Sequence, residues 1–166
     1  MKHTISILVE NHSGVLARVS GLFSARGYNI ESLCVGETDD PSVSRMTVVA
    51  TGDDRVMQQI VKQLNKVVDT IAVEDLTGEE YVERELVMVK IKATNQQRSD
   101  VLEITGIFRA KVVDVGAESM TMEVTGSEGK VRAFIDMMRP FGIVELVRTG
   151  RIAIGRAAKQ EGNSNG

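Results

Sequence analysis

A chain of 166 residues fits one ordinary domain or two small ones, and its composition, 42% apolar and 26% charged with only 4% aromatics and no Trp, asks for a core of Val, Ile, Leu and Met. The net charge of −3 argues against a phosphate-tracking surface, and a lone cysteine, Cys34, excludes an intrachain disulfide and a thiolate metal cluster. Met1-Lys2-His3 runs straight into a strand pattern with no signal-type stretch and no apolar run near 20 residues, so the expectation is a cytoplasmic protein that binds neither membrane nor nucleic acid.

Thr4–Glu10 reads as a strand, with Ile5, Ile7 and Val9 alternating against Ser6 and Glu10. Asn11-His12-Ser13-Gly14 is a turn by composition. The period then changes: Val15, Leu16, Val19, Leu22 and Phe23 share one helical face, and Gly27 is placed to end that helix in a left-handed conformation. Asn29–Gly36 and Ser44–Thr51 read as strands around an Asp39-Asp40-Pro41 turn. Asp53 suits the N-cap of a second helix striped with Val56, Ile60, Val61 and Leu64, and Val67–Glu74 closes the unit as a strand.

Thr77–Arg84 is polar and reads as a linker. The same order then returns. Glu85–Lys92 is a strand and Gln96–Phe108 a helix; Lys111–Gly116 and Ser119–Gly126 form a hairpin. Ser127 suits the cap of a helix bearing Val131, Phe134, Ile135 and Met138, and Gly142–Thr149 is the last strand. A period of about 80 residues is too long for a solenoid and predicts two domains of like topology. The expected fold is α+β: two tandem ferredoxin-like βαββαβ units spanning residues 1–76 and 85–158, with a linker at 77–84 and a disordered tail at 159–166. Helices on one face leave the other open. In the first unit that open face is expected to include Leu33, Val35, Met46 and Val48, and an apolar face or a bare edge strand favours a homodimer.

Catalytic chemistry is hard to find. His3, at the terminus, and His12, in a turn, lack partners at metal-ligand spacing and read as solvated, so no metal site is expected. The acidic pairs Asp39-Asp40, Asp53-Asp54 and Glu79-Glu80 lie in turns, a helix start and the linker, where caps and solvation explain them. No nucleophile elbow and no phosphate loop is present. A ferredoxin-like sheet raises the prospect of an RNA-recognition module, but Cys34, Met46, Val48, Met120 and Met122 offer no aromatic platform for bases. The remaining feature is the turn before the first helix. Gly14 lets a ligand approach the backbone, the amides of Val15 and Leu16 lack intrahelical partners and suit a carboxylate, and Asn11 and Asn29 add side-chain amides. Turn conformation alone also accounts for Asn, Ser and Gly at such a position.

These residues carry a resemblance. Glu10-Asn11-His12-Ser13-Gly14-Val15-Leu16, the run Gly21 to Leu33 with its Gly27-Tyr28-Asn29-Ile30-Glu31-Ser32, Thr38-Asp39-Asp40-Pro41, Ser44-Arg45-Met46-Thr47 and Val82-Glu83-Arg84-Glu85-Leu86 resemble the small regulatory subunits of acetohydroxyacid synthase (acetolactate synthase). The first stretch alone resembles ACT domains in general; the later runs narrow it. The resemblance implies an N-terminal ACT domain, side-by-side pairing of ACT domains in a homodimer, and feedback inhibition by valine. The valine site implied lies between Asn11, Gly14, Val15 and Leu16 of one chain and Asn29 and Ile30 of the other. It also implies that this chain is not catalytic and carries no cofactor of its own, and that it activates a separate large subunit holding thiamine diphosphate, Mg²⁺ and FAD in branched-chain amino-acid biosynthesis. The alternative is a free-standing ACT-type sensor acting on another enzyme or a transcription regulator.

Overall fold

A computed structural model describes residues 1–158; the expectation of a disordered tail at 159–166 lies outside the described residues. The first unit runs β1 (Lys2–Glu10), α1 (Val15–Ala25), β2 (Asn29–Glu37), β3 (Val43–Thr51), α2 (Asp54–Leu64) and β4 (Thr70–Asp75). The second repeats the order as β5 (Tyr81–Lys92), α3 (Arg98–Ile107), β6 (Lys111–Val115), β7 (Ser119–Gly126), α4 (Glu128–Met138) and β8 (Ile143–Arg148), followed by an additional short strand, β9 (Ile152–Gly155). The antiparallel sheets order as β2-β3-β1-β4 and β6-β7-β5-β8, with β9 paired to β5. This is the expected doubled βαββαβ arrangement.

Period-two patterning places the core. Ile5 pairs with Val48 and Ile7 with Met46, so these side chains share the face on which Val19, Phe23, Met57, Ile60 and Leu64 of the two helices pack. The second core is built alike from Val87, Val89, Ile91, Met120, Met122 and Val124 under Phe134, Ile135 and Met138. Asp53 caps α2 as expected, its carboxylate accepting the Arg55 amide at 2.7 Å. Ser127 precedes α4 but makes no side-chain cap; the Glu128 amide is satisfied instead by Glu83 of β5.

The register corrects the open face. Leu33 and Val35 pair with Val48 and Met46, so all four belong to the helix side. The opposite face carries Thr4, Ser6, Ser32, Cys34, Thr47 and Val49, and it is covered. Thr4 is only 4%, Ser6 3% and Thr47 2% exposed. The cover comes from the stretch read as linker. From Tyr81 on it is strand, and Gly150, at φ 86, turns the chain so that Ile152–Gly155 pairs with Tyr81–Arg84 as a two-stranded ribbon. Thr4 Oγ1 and Tyr81 OH lie 3.3 Å apart, and the Arg151 amide donates to Ser32 Oγ at 2.8 Å. Alternating Thr and Ser suggest a wet face, yet small hydroxyl side chains also allow close approach when partners satisfy them. In the second unit the corresponding face is open, and there Met88 pairs with Val147 with both side chains exposed.

His3 also departs from expectation. It is buried at 5% exposure, with Nε2 2.9 Å from Asp54 Oδ1 at the start of α2.

Ion pairs join the units. Lys2 Nζ lies 3.2 Å from Glu31 of β2 and 2.9 Å from Glu128 of α4, and Glu128 meets Arg151 at 2.9 Å. The hydrogen bond from Thr51, with that from Lys2, holds the Glu31 carboxyl below its ordinary value; the bond from Lys2 and the charge of Arg151 do the same for Glu128. Carboxyls depressed in the folded state stabilise the fold above their ordinary value of 4.5 and lose that contribution as pH falls through the lower folded values. Wild type is therefore expected to lose stability more steeply than Lys2→Met as pH drops from about 5 to about 3, with the difference fading in high salt. Urea midpoints measured across that range check it; parallel acid limbs for the two proteins would contradict it.

Candidate functional site

The turn between β1 and α1 is fixed at both ends. The Glu10 amide donates to the Asp69 carbonyl at 2.8 Å and the Asn11 amide to the Ser42 carbonyl at 2.8 Å. The Asn11 side chain spans to the neighbouring turn, its Nδ2 donating to the Pro41 carbonyl at 3.0 Å and to Glu37 Oε1 at 3.3 Å. Asn11 thus carries a structural duty, with its amide oxygen left for another partner.

Gly14 stands at the N-cap of α1 with φ 83 and ψ −9, a left-handed conformation that suits glycine. No side chain caps this helix. The first-turn amides, Val15 and Leu16 among them, have no intrahelical acceptor and carry the positive end of the helix dipole. Val15 points into the core at 2% exposure, so it offers only its backbone; Leu16, 44% exposed, offers an apolar side chain as well.

Sequence reading missed Arg18 and Asp69. Arg18 lies one turn after Gly14, and its Nη2 donates to the nearly buried carboxylate of Asp69, just before β4. Its Nη1 stands 3.6 Å from where a Cβ on Gly14 would lie. The i+4 spacing from Gly14 was visible; Asp69 is 51 residues from Arg18 and gave no local signal. The fold also brings Glu10, His12 and Asp69 within 4.8 Å of one another, a grouping that spacing did not announce. His12 is exposed and bonds Glu10 at 3.0 Å, while the guanidinium of Arg18 supplies Asp69 with its counter-charge.

Asn29 and Ile30 open β2. Asn29 is exposed, and Ile30 packs partly against the first core. Their strand is an edge: β3 pairs with one side of it and no strand among the described residues takes the other. Within one chain the two groups are not brought together. Gly14 begins α1 and Asn29 follows its end, so the 11 helical residues separate them by about 16 Å.

A glycine-opened helix and a free strand edge in the first of two βαββαβ units fit the ACT-type regulatory module that the sequence resemblance implies. Comparison with known proteins narrows the class. Residues 5–72 match the family described as the AHAS small subunit-like ACT domain, and residues 84–157 match that described as the small subunit of acetolactate synthase. The chain is 55% identical over 160 residues to the probable acetolactate synthase small subunit of Archaeoglobus fulgidus, covering 96% of this chain and 100% of that one. It is 49% identical to the acetolactate synthase small subunit of Aquifex aeolicus, covering 98% and 86%. The crystal structure of the acetolactate synthase small subunit from Thermotoga maritima superposes with a TM-score of 0.86 at 36% identity, covering 95% and 99%. The chain belongs to the acetolactate synthase small-subunit family. No helix among the described residues is long and apolar enough to cross a membrane.

The bonds of Asn11 generate a prediction about the site's frame. Asn11→Ala removes the tie between this turn and the Pro41 turn and should lower stability by about 0.5–1.5 kcal/mol, the usual worth of such a bond. Urea denaturation measures it, and an unchanged midpoint would show that the tie holds nothing.

Proposed function

We propose that this chain is the regulatory subunit of an acetolactate synthase, binds valine where two ACT sheets meet, and uses it to inhibit a catalytic large subunit that it otherwise activates. The observation that carries the reading is the separation of Gly14 from Asn29 across the length of α1. One small amino acid cannot touch both within one chain, so a second copy must complete the site.

The free edge of β2 supports that arrangement. Twofold antiparallel pairing of two β2 strands centred on Leu33 sets Asn29 beside the partner's Glu37, since both stand four positions from the centre. Glu37 is hydrogen-bonded to Asn11 in its own chain. The pairing therefore brings Asn29 and Ile30 of one copy to the Asn11–Leu16 turn of the other. The ligand's carboxylate would meet the Val15 and Leu16 amides with Gly14 allowing close approach, and the aliphatic side chain would meet Leu16 and Ile30. An apolar pocket separates valine from isoleucine by only about 1–3 kcal/mol, so selectivity is modest.

In this reading the chain turns nothing over alone and works in the cytoplasm. Thiamine diphosphate, Mg²⁺ and FAD, with the joining of 2-oxo acids, belong to the large subunit. Reconstitution is the test: the chain should bind its large subunit in a pull-down, raise its activity and make it valine-sensitive. A pull-down that recovers no large subunit would sink the reading in favour of a free-standing sensor.

Gly14→Asp checks the site itself. A Cβ there comes within reach of Arg18, and the new carboxylate would take the place of the ligand's carboxylate at the start of α1. Asp tolerates the left-handed conformation better than most residues, so folding should survive. Valine should weaken by at least about tenfold, since one charge-assisted hydrogen bond is worth about 1.5–3 kcal/mol. Calorimetry showing undiminished valine binding by this variant would remove Gly14 from the site.

A further inference from the structure

Strand β2 meets the second unit immediately after its first two residues. Its register against β3 slips between Ile30 and Ser32, leaving Glu31 unpaired as a β-bulge. The residues at and after the bulge are held from across the molecule. Glu31 faces Lys2 at 3.2 Å, and Lys2 reaches Glu128, the first residue of α4, at 2.9 Å. Ser32 Oγ accepts the Arg151 amide at 2.8 Å. Gly150 seats against the next peptide so closely that a Cβ would stand 2.9 Å from the Leu33 carbonyl oxygen. Arg151, 8% exposed, closes the circuit by pairing with Glu128 at 2.9 Å and approaching Glu85 at 3.8 Å.

We propose that this bulge, with the Gly150–Arg151 saddle and the Lys2–Glu128 bridge, is the coupling element through which occupancy at Asn29 and Ile30 reaches the C-terminal unit. The inference rests on the effector reading above. A ligand regulates only by favouring one arrangement of an element that the distant site also senses. The start of β2 borders the effector site, and the residues that follow are packed against Gly150 and Arg151, which lead into β9, and tied through Lys2 to α4. A bulge is where a strand departs from its ladder, so displacement of Asn29 and Ile30 is taken up at Glu31 and passed to Ser32 and Leu33. Close packing at Gly150 leaves no slack to absorb it.

Hydrogen exchange on the full-length chain, with and without valine, gives the first readout. Protection should change in β9 and in the first turn of α4, as well as in β2. The second readout uses Ser32→Ala combined with Glu128→Gln, reconstituted with the catalytic subunit. Calorimetric valine affinity should stay within about threefold of wild type and stimulation of the catalytic subunit should persist, while the inhibition reached at saturating valine falls by roughly half or more. A purely structural role would lower stability and affinity together instead. Lys2→Met, at a half-buried position, repeats the test through the other end of the bridge.

Two outcomes overturn the proposal alone: valine binds wild type without changing exchange in β9 and α4, or the variants bind valine and remain fully inhibited. Wild type that takes up no valine removes the effector reading and this inference with it.

Discussion

A four-stranded sheet with both helices on one side has a second face that must meet something, and in the first unit it meets the β5–β9 ribbon. Much of the molecule follows from that contact. The face is made of Thr4, Ser6, Ser32, Cys34, Thr47 and Val49, side chains short enough for a second layer to come close. Its hydroxyls are answered from above by Tyr81 and the Arg151 amide, and from its own sheet by Arg45, which donates to Ser6 at 2.6 Å. With helices on one side and the ribbon on the other, the first unit keeps its strand edges, β2 and β4, as places where backbone groups lack a ladder partner among the described residues. The edge that carries Asn29 and Ile30 is one of them.

The doubled topology was legible because hydrophobic periodicity is a local property. Ile5-Ser6-Ile7, the stripe through Val19 and Phe23, and their counterparts at Val87-Met88-Val89 and Phe134-Ile135 each declare their element within a few residues. Gly14 and Gly27 announced the two ends of α1, and both have positive φ. Facing was harder. Leu33, Val35, Met46 and Val48 alternate correctly, but alternation does not say which side bears the helices, and they lie on the helix side rather than on the open face expected of them. The ribbon was illegible because its strands are separated by most of the second unit, and Tyr81–Arg84 is too polar to read as strand. His3 was misjudged for a similar reason: its partner, Asp54, is 51 residues away.

The candidate site shows the same division. Gly14, Asn11 and Asn29 could be named because turn chemistry and family likeness both single them out. Their geometry could not, since sequence gave no sign that Asn11 is spent on the Pro41 turn or that Arg18 is anchored over Gly14 by Asp69. Nor could it show that Gly14 and Asn29 sit at opposite ends of one helix with the strand edge between them left unpaired. In the proposed effector site, that separation is what calls for a second chain.

The two units share a topology but differ in what their non-helical faces can do. In the first, hydroxyls and a thiol accept a roof and give the sheet two buried sides. In the second, Met88 and Val147 stay exposed among Lys90, Asp114 and Glu145, so that face remains open. The asymmetry matters for regulation. A sheet clamped on both faces does not flex as a whole, so in the proposed coupling a disturbance at its edge moves the strand where the ladder is already broken, at Glu31, and is passed on from there. From there the contacts that leave β2 for the second unit run through Ser32 and Leu33 to Arg151 and Gly150.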